Sequence, residues 1–68
     1  MHYKKQYELR IVCQINYFVH ITVFQCNDFS NKLQYAAVID NTLHFFEHFE
    51  DIILELRTFY SCCEITIL

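Results

Sequence analysis

Every odd position from Tyr7 to Val23 is apolar: Tyr7, Leu9, Ile11, Cys13, Ile15, Tyr17, Val19, Ile21 and Val23. The even positions between them are mostly polar, among them Glu8, Arg10, Gln14, Asn16, His20 and Thr22. Alternation with a period of two marks a strand with one buried face, because successive side chains leave a strand on opposite sides. Strands usually run about 3–10 residues, so this longer run predicts a hairpin. Parity then restricts the loop. A two-residue loop pairs odd with even positions and splits the apolar set between two faces. A three-residue loop, Gln14-Ile15-Asn16, keeps the set together and pairs Cys13 with Tyr17, Ile11 with Val19, Leu9 with Ile21 and Tyr7 with Val23. Such loops end in a left-handed residue, a conformation that Asn tolerates better than most residues with a side chain.

Asn27-Asp28-Phe29-Ser30-Asn31-Lys32 reads as a longer turn. Leu33, Tyr35, Ala37 and Ile39 then continue the odd apolar set and predict a third strand, with Val23 near Tyr35 and Ile21 near Ala37. A helix over 28–39 is the competing reading, since Lys32 to Ala37 tolerates either state. From Thr42 to Tyr60 the period changes. At 100° per residue, Phe45, Phe46, Phe49, Ile52, Ile53, Leu56, Phe59 and Tyr60 share an arc of about 140°. His44, Glu47, His48, Asp51, Glu55 and Thr58 fill the opposite side, and Asp40 or Asn41 is positioned to cap the start. The spacing predicts one long amphipathic helix over 42–60, followed by a short strand over 64–68. The expected architecture is therefore α+β: a small antiparallel sheet, made of a hairpin and a third strand, packed on one long C-terminal helix. With no linker or repeat, residues 1–68 read as a single small domain.

Composition changes this picture at the turns. The chain has no glycine and no proline, the two residues that make chain reversal easiest. Asn16, Asn27, Asn31 and Asn41 stand at or beside the expected turns and are the substitutes. Phe, Tyr, Met, Ile, Asn and Lys together make up 28 residues, a bias that points to AT-rich coding DNA, as in some viruses, phages, parasites and organelles. A formal net charge of −3 with only five Lys and Arg argues against binding to a phosphate backbone, so no nucleic acid is expected. Lys4, Lys5 and Arg10 precede an uncharged run from Ile11 to Asn27, but Gln14, Asn16, His20 and Gln25 interrupt it. Neither a secretory leader nor a membrane helix is expected. Cys13, Cys26, Cys62 and Cys63 then read as reduced thiols in a soluble intracellular protein.

Candidate chemistry is sparse. His44-Phe45-Phe46-Glu47-His48 is similar, over those five residues, to the H-x-x-E-H motif of the inverzincin metalloproteases. Histidines at i and i+4 share a helix face and can grip zinc. The resemblance implies a third, carboxylate ligand from a distant helix, whereas the acids near His48 all fall on the same helix as the motif. His44 and His48 remain weak metal candidates. The expectation is no metal, no cofactor and no enzymatic activity. No glycine-built phosphate loop is possible, and no nucleophile is paired with a base. The sheet's even-numbered face is more informative. Val12, Phe18, Phe24 and Val38 would project there among Arg10 and His20, with Val12 beside Phe18 and Arg10 beside His20. Exposed aromatic and branched residues around a few polar ones suggest a contact surface. The expected function is a small non-enzymatic interaction module that binds a protein partner or a second copy of itself. Two alternatives are a zinc-binding domain and a phage- or virus-type inhibitor presenting the acidic residues Glu47, Asp51 and Glu55.

Overall fold

The computed structural model describes residues 3–14 and 17–68. It is mostly sheet. Strands β1 (Lys4–Gln14), β2 (Tyr17–Asn27), β3 (Leu33–Ile39) and β4 (Thr42–Phe46) are followed by one helix, α1 (Phe49–Phe59), and a last strand, β5 (Glu64–Ile67). The strands form one antiparallel sheet in the order β4-β3-β2-β1-β5. The first four make a meander. The helix then carries the chain back across one face, so that β5 pairs with the free side of β1.

The β1–β2 hairpin follows the parity of the sequence. Tyr7 pairs with Val23, Leu9 with Ile21 and Ile11 with Val19. The expected Cys13–Tyr17 pair is not formed. The register shifts between Val12 and Gln14, so that Gln14 faces Tyr17 and Cys13 is the extra residue of a bulge. Ile15 and Asn16, the rest of the expected loop, lie outside the described residues. The β2–β3 register is offset by two from expectation, with Val23 opposite Ala37 and Gln25 opposite Tyr35. A shift of two preserves the face of every side chain, so the odd positions still form the core. In the turn before β3, the Asp28 carboxylate accepts hydrogen bonds from the Ser30 and Lys32 amides at 2.8 and 2.9 Å. Asn31 takes the left-handed backbone there, at φ 61°.

The expected long helix over 42–60 is the main correction. Asp40 and Asn41 both have positive φ, 53° and 64°. They form the two-residue loop of a tight hairpin, the conformation usually given to Asn-Gly. Instead of capping a helix they reverse the chain, and Ile39 pairs directly with Thr42. Residues 42–46 are β-branched, aromatic or otherwise compatible with a strand, and β3 supplies the hydrogen-bonding partner. The two-residue loop inverts parity, so Phe46, opposite Tyr35, turns toward the core side while Phe45, opposite Ala36, turns away. The helix begins only at Phe49 and runs 11 residues, roughly 16 Å at 1.5 Å per residue. Glu50 and Asp51 lie in its first turn and Arg57 in its last, as the helix dipole favours.

The core lies between α1 and the odd-numbered face of β1–β3. Leu9, Ile11, Val23, Ala37 and Ile39 from the sheet and Ile52 and Leu56 from the helix are fully buried. Phe49 extends this core, its ring 4.6 Å from that of Tyr7 and 6.3 Å from that of Tyr35. No polar side chain among the described residues is buried. The expectation of four reduced thiols is also corrected. Cys13, at the β1 bulge, is disulfide-bonded to Cys63, which precedes β5. Because Val12 is opposite Glu64, these two cysteines occupy the next cross-strand position. Cys26 is free and buried, and Cys62 is free and exposed.

Candidate functional site

Among the described residues, α1 covers one face of the sheet and no element covers the other. The bare face collects the even positions of β1, β2 and β3, and, through the inverted parity of β4, its odd positions. Arg10 is opposite His20 and Val12 opposite Phe18, the neighbours expected from the alternation. Phe18 and Val38 are each about half exposed, at 55% and 50%. Phe24 is half-buried and opposite Ala36. All six sequence candidates thus share one face, but they do not form one patch. Val12 and Phe18 sit near the hairpin tip. Phe24 and Val38 sit nearer the middle, with Arg10 and His20 between them and the tip.

The alternation did not identify the residues that complete the apolar area. Phe45, Ala36 and Phe24 form a cross-strand row over three strands, and Leu43 is opposite Val38 in the next row. Phe45 and Leu43 are half exposed, although the helical reading put Phe45 in the core. Tyr3 reaches the same area because the register of β1 shifts between Lys5 and Tyr7. Its ring meets that of Phe24 edge-on at 6.1 Å. Ala36 is fully buried on this uncovered face and Cys26 nearly so, which is consistent with shielding by the flanking rings. Gln34 Nε2 donates a long, weak hydrogen bond to the Cys26 sulfur at 3.7 Å. A shallow cavity of about 350 Å³ lies beside this cluster, lined by Tyr3, Asp28, Phe29, Gln34 and Phe45. The two-residue Asp40-Asn41 turn was the available signal for Leu43 and Phe45, since it makes 42–46 a strand and fixes its facing.

Charge on the β1 and β5 strands of this face is balanced, and Asp28 borders it from the β2–β3 turn. Lys5 Nζ donates to Glu8 Oε2 at 2.8 Å, and Thr22 Oγ1 donates to Glu8 Oε1 at 3.1 Å. Those hydrogen bonds, that from Lys5 first, hold the Glu8 carboxyl below its ordinary range. Arg10 and Glu64 supply one further charge of each sign, on neighbouring strands. The remaining ion pair among the described residues, Lys32–Glu47, is exposed and tethers the β2–β3 turn to the end of β4. It raises the pKa of Lys32 and lowers that of Glu47.

The motif at 44–48 has no helical geometry. His44 lies in β4, stacked near Phe46 with ring centroids 6.1 Å apart, and His48 is the residue before α1. The i, i+4 grip on zinc that a helix would provide is therefore not formed. Among the described residues, no group of three His, Cys, Asp or Glu side chains is gathered closely enough to hold a metal ion. The acidic face is also divided. Glu47 precedes the helix and is tied to Lys32, while Asp51 and Glu55 remain one turn apart on α1. No helix among the described residues is long and apolar enough to cross a membrane. No family model, curated protein or solved structure matches this chain.

Proposed function

We propose that this chain is a non-enzymatic interaction module that self-associates through the uncovered face of its sheet. One observation carries the reading. Phe45, Ala36 and Phe24 make an apolar row across three strands, on the face opposite α1. Val38, Leu43 and Tyr3 extend it with side chains about half exposed, and Phe18 stands apart on the same face nearer the hairpin tip. A contiguous apolar area of this kind is typical of a surface that another protein covers.

A second copy is the partner the electrostatics favour. The chain as a whole carries −3, which makes like copies repel, but Lys5 and Arg10 balance Glu8 and Glu64 on this face. Two such faces meet without net repulsion at the contact, and a two-fold axis brings each cation within reach of the other copy's acids. Sheets packed face to face in this way form a sandwich with a shared core about 10 Å thick. The surroundings in which this happens are oxidising on this reading, because the Cys13–Cys63 bond is the kind of link that reducing compartments do not maintain.

Light scattering coupled to gel filtration, at tens of micromolar protein, tests the proposal. The expected mass is twice the 8.3 kDa of the chain, and Phe45→Glu or Phe18→Glu returns it to the monomer value. A monomer at those concentrations, or a dimer indifferent to both substitutions, removes the face from consideration.

A further inference from the structure

The sheet is incomplete on one side of β2. Its partner β3 pairs with it only from Val23 to Asn27, although β2 begins at Tyr17. Past Ala37 the β3–β4 hairpin continues on its own, through Val38–Leu43 and Ile39–Thr42. No strand among the described residues pairs with Tyr17–Thr22 on that side. One cavity of about 500 Å³ lies along this free edge. Val19, Ile21 and Tyr60 line it from the helix side, and His20, Thr22 and Val38 line it from the bare side. Side chains of both faces border this cavity because the β2–β3 ladder ends at Val23–Ala37 and leaves the edge of β2 open. The gap is bordered by β2 on one flank and by the Asp40-Asn41 turn on the other.

We propose that this gap is a strand-addition site for an extended peptide supplied by another polypeptide, about six residues long and carrying a Lys or Arg. Tyr17 to Thr22 contains no charge, no proline and no bulge, so it has none of the features that usually protect an open strand edge from pairing. An added strand satisfies its free amides and carbonyls through main-chain hydrogen bonds, which supply affinity with little demand on sequence. Selectivity comes from the two sides. Alternate peptide residues meet Val19, Ile21 and Tyr60 on one face and Val38 and Thr22 on the other, which favours small and branched apolar groups. Asp40 is the one acidic side chain lining the cavity, and no Lys or Arg lines it, so a peptide cation is matched and a peptide acid is repelled. A second copy fits less well. Reciprocal pairing of two β2 edges would bring each hairpin tip against the other copy's Asp40-Asn41 turn.

The site does not depend on the self-association reading: it is built on the edge of β2, and although Phe24 and Val38 border both surfaces, Phe45 does not line the gap. The test uses the full chain and a blocked hexapeptide of alternating Thr and Val with one Arg, labelled with a fluorophore. Its counterparts carry Glu for Arg, or N-methyl groups at alternate backbone nitrogens. The Arg peptide is expected to bind saturably by fluorescence anisotropy, about tenfold more tightly than the Glu peptide. N-methylation is expected to abolish binding. Asp40→Asn is expected to erase the difference between Arg and Glu while binding persists, and amide exchange is expected to slow within Tyr17 to Thr22. Phe45→Glu is expected to leave peptide binding unchanged whatever it does to the dimer. Lack of saturation up to about 1 mM peptide, or indifference to N-methylation, overturns the proposal. Binding that occurs only as the protein's own dimer dissociates also overturns it, by giving the edge to a second copy.

Discussion

The Cys13 sulfur is bonded to the Cys63 sulfur across neighbouring strands, joining positions 50 residues apart. Their pairing follows from the β1–β5 register, which sets Val12 against Glu64 and so brings the next residues together. The bond ties the bulged end of β1 to the segment between the helix and β5. In the chain-entropy picture, closing a loop of this length stabilises the fold by about 4 kcal/mol at most. Cys13→Ser, Cys63→Ser or a reductant should therefore lower the unfolding free energy in urea by about 2–4 kcal/mol. Cys62→Ser should leave it unchanged, because Cys62 is free and exposed. Titration of the denatured, unreduced protein should find the thiols of Cys26 and Cys62 alone, and those of all four cysteines after reduction.

The loop between β3 and β4 offers a sharper test of local conformation. Asp40 and Asn41 both occupy left-handed backbone, which most residues with a side chain adopt only at a cost of roughly 1–2 kcal/mol. Asn41→Ile should lower stability by about that amount, with an unchanged dependence on urea. Asn41→Gly should raise it slightly, because the tight hairpin loop prefers glycine there. If these residues capped a helix instead, the glycine variant would be neutral or harmful. Urea midpoints of the two variants distinguish the cases.

That loop also explains what was legible in the sequence. The alternation from Tyr7 to Val23 specified the hairpin, its facing and most of its register, because a period of two survives any shift by two residues. It also predicted that Arg10 would neighbour His20 and Val12 would neighbour Phe18. The long helix was misread because Phe45, Phe46 and Phe49 fit a helical arc as well as they fit a strand followed by a helix. Five residues are too few for periodicity to separate the two, and the deciding information lies in the backbone of Asp40 and Asn41. Without glycine, that turn had no conspicuous marker. The same misreading hid Leu43 and Phe45 from the bare face. The Cys13–Cys63 pair depends on a bulge and on a strand contributed from the other end of the chain, and neither is encoded locally.

Stability should depend on pH through the paired carboxylates of Glu47 and Glu8. Lys32 holds Glu47 below its ordinary value near 4.5, and Lys5 and Thr22 do the same for Glu8. A carboxylate with a depressed folded pKa contributes stability that is fully present above its unfolded value and lost as pH falls through the folded one. Lys32 has the opposite sense: its pKa is raised, so its contribution holds below about 10.5 and fades as pH rises through the folded value. Urea unfolding should therefore show a shallow decline below pH 4.5, which Glu47→Gln and Glu8→Gln each reduce. Because the Lys32–Glu47 pair is exposed and Lys5 is exposed beside half-buried Glu8, added salt should flatten the decline as well, more at Glu47 than at Glu8. A decline untouched by either substitution would assign acid sensitivity to other groups.

Contrast between adjacent aromatic residues tests the corrected fold most directly. A helix over 42–60 buries Phe45 and Phe46 together, whereas the strand turns Phe46 toward the core and leaves Phe45 half exposed. Measured on the monomer, Phe46→Ala should cost about 3 kcal/mol, toward the low end for a buried aromatic because its site is only partly closed. Phe45→Ala should cost distinctly less, since it loses only its packing beside Ala36. The helix supplies an internal reference for the comparison. Leu56 is fully buried and Leu54 is 64% exposed, so Leu56→Ala should cost about 2–5 kcal/mol and Leu54→Ala about 0.5 kcal/mol or less. Equal losses at Phe45 and Phe46, with the Leu54–Leu56 contrast intact, would restore the long helix and remove β4 from the sheet. Unequal losses in the stated direction leave the strand as the arrangement that accounts for both residues.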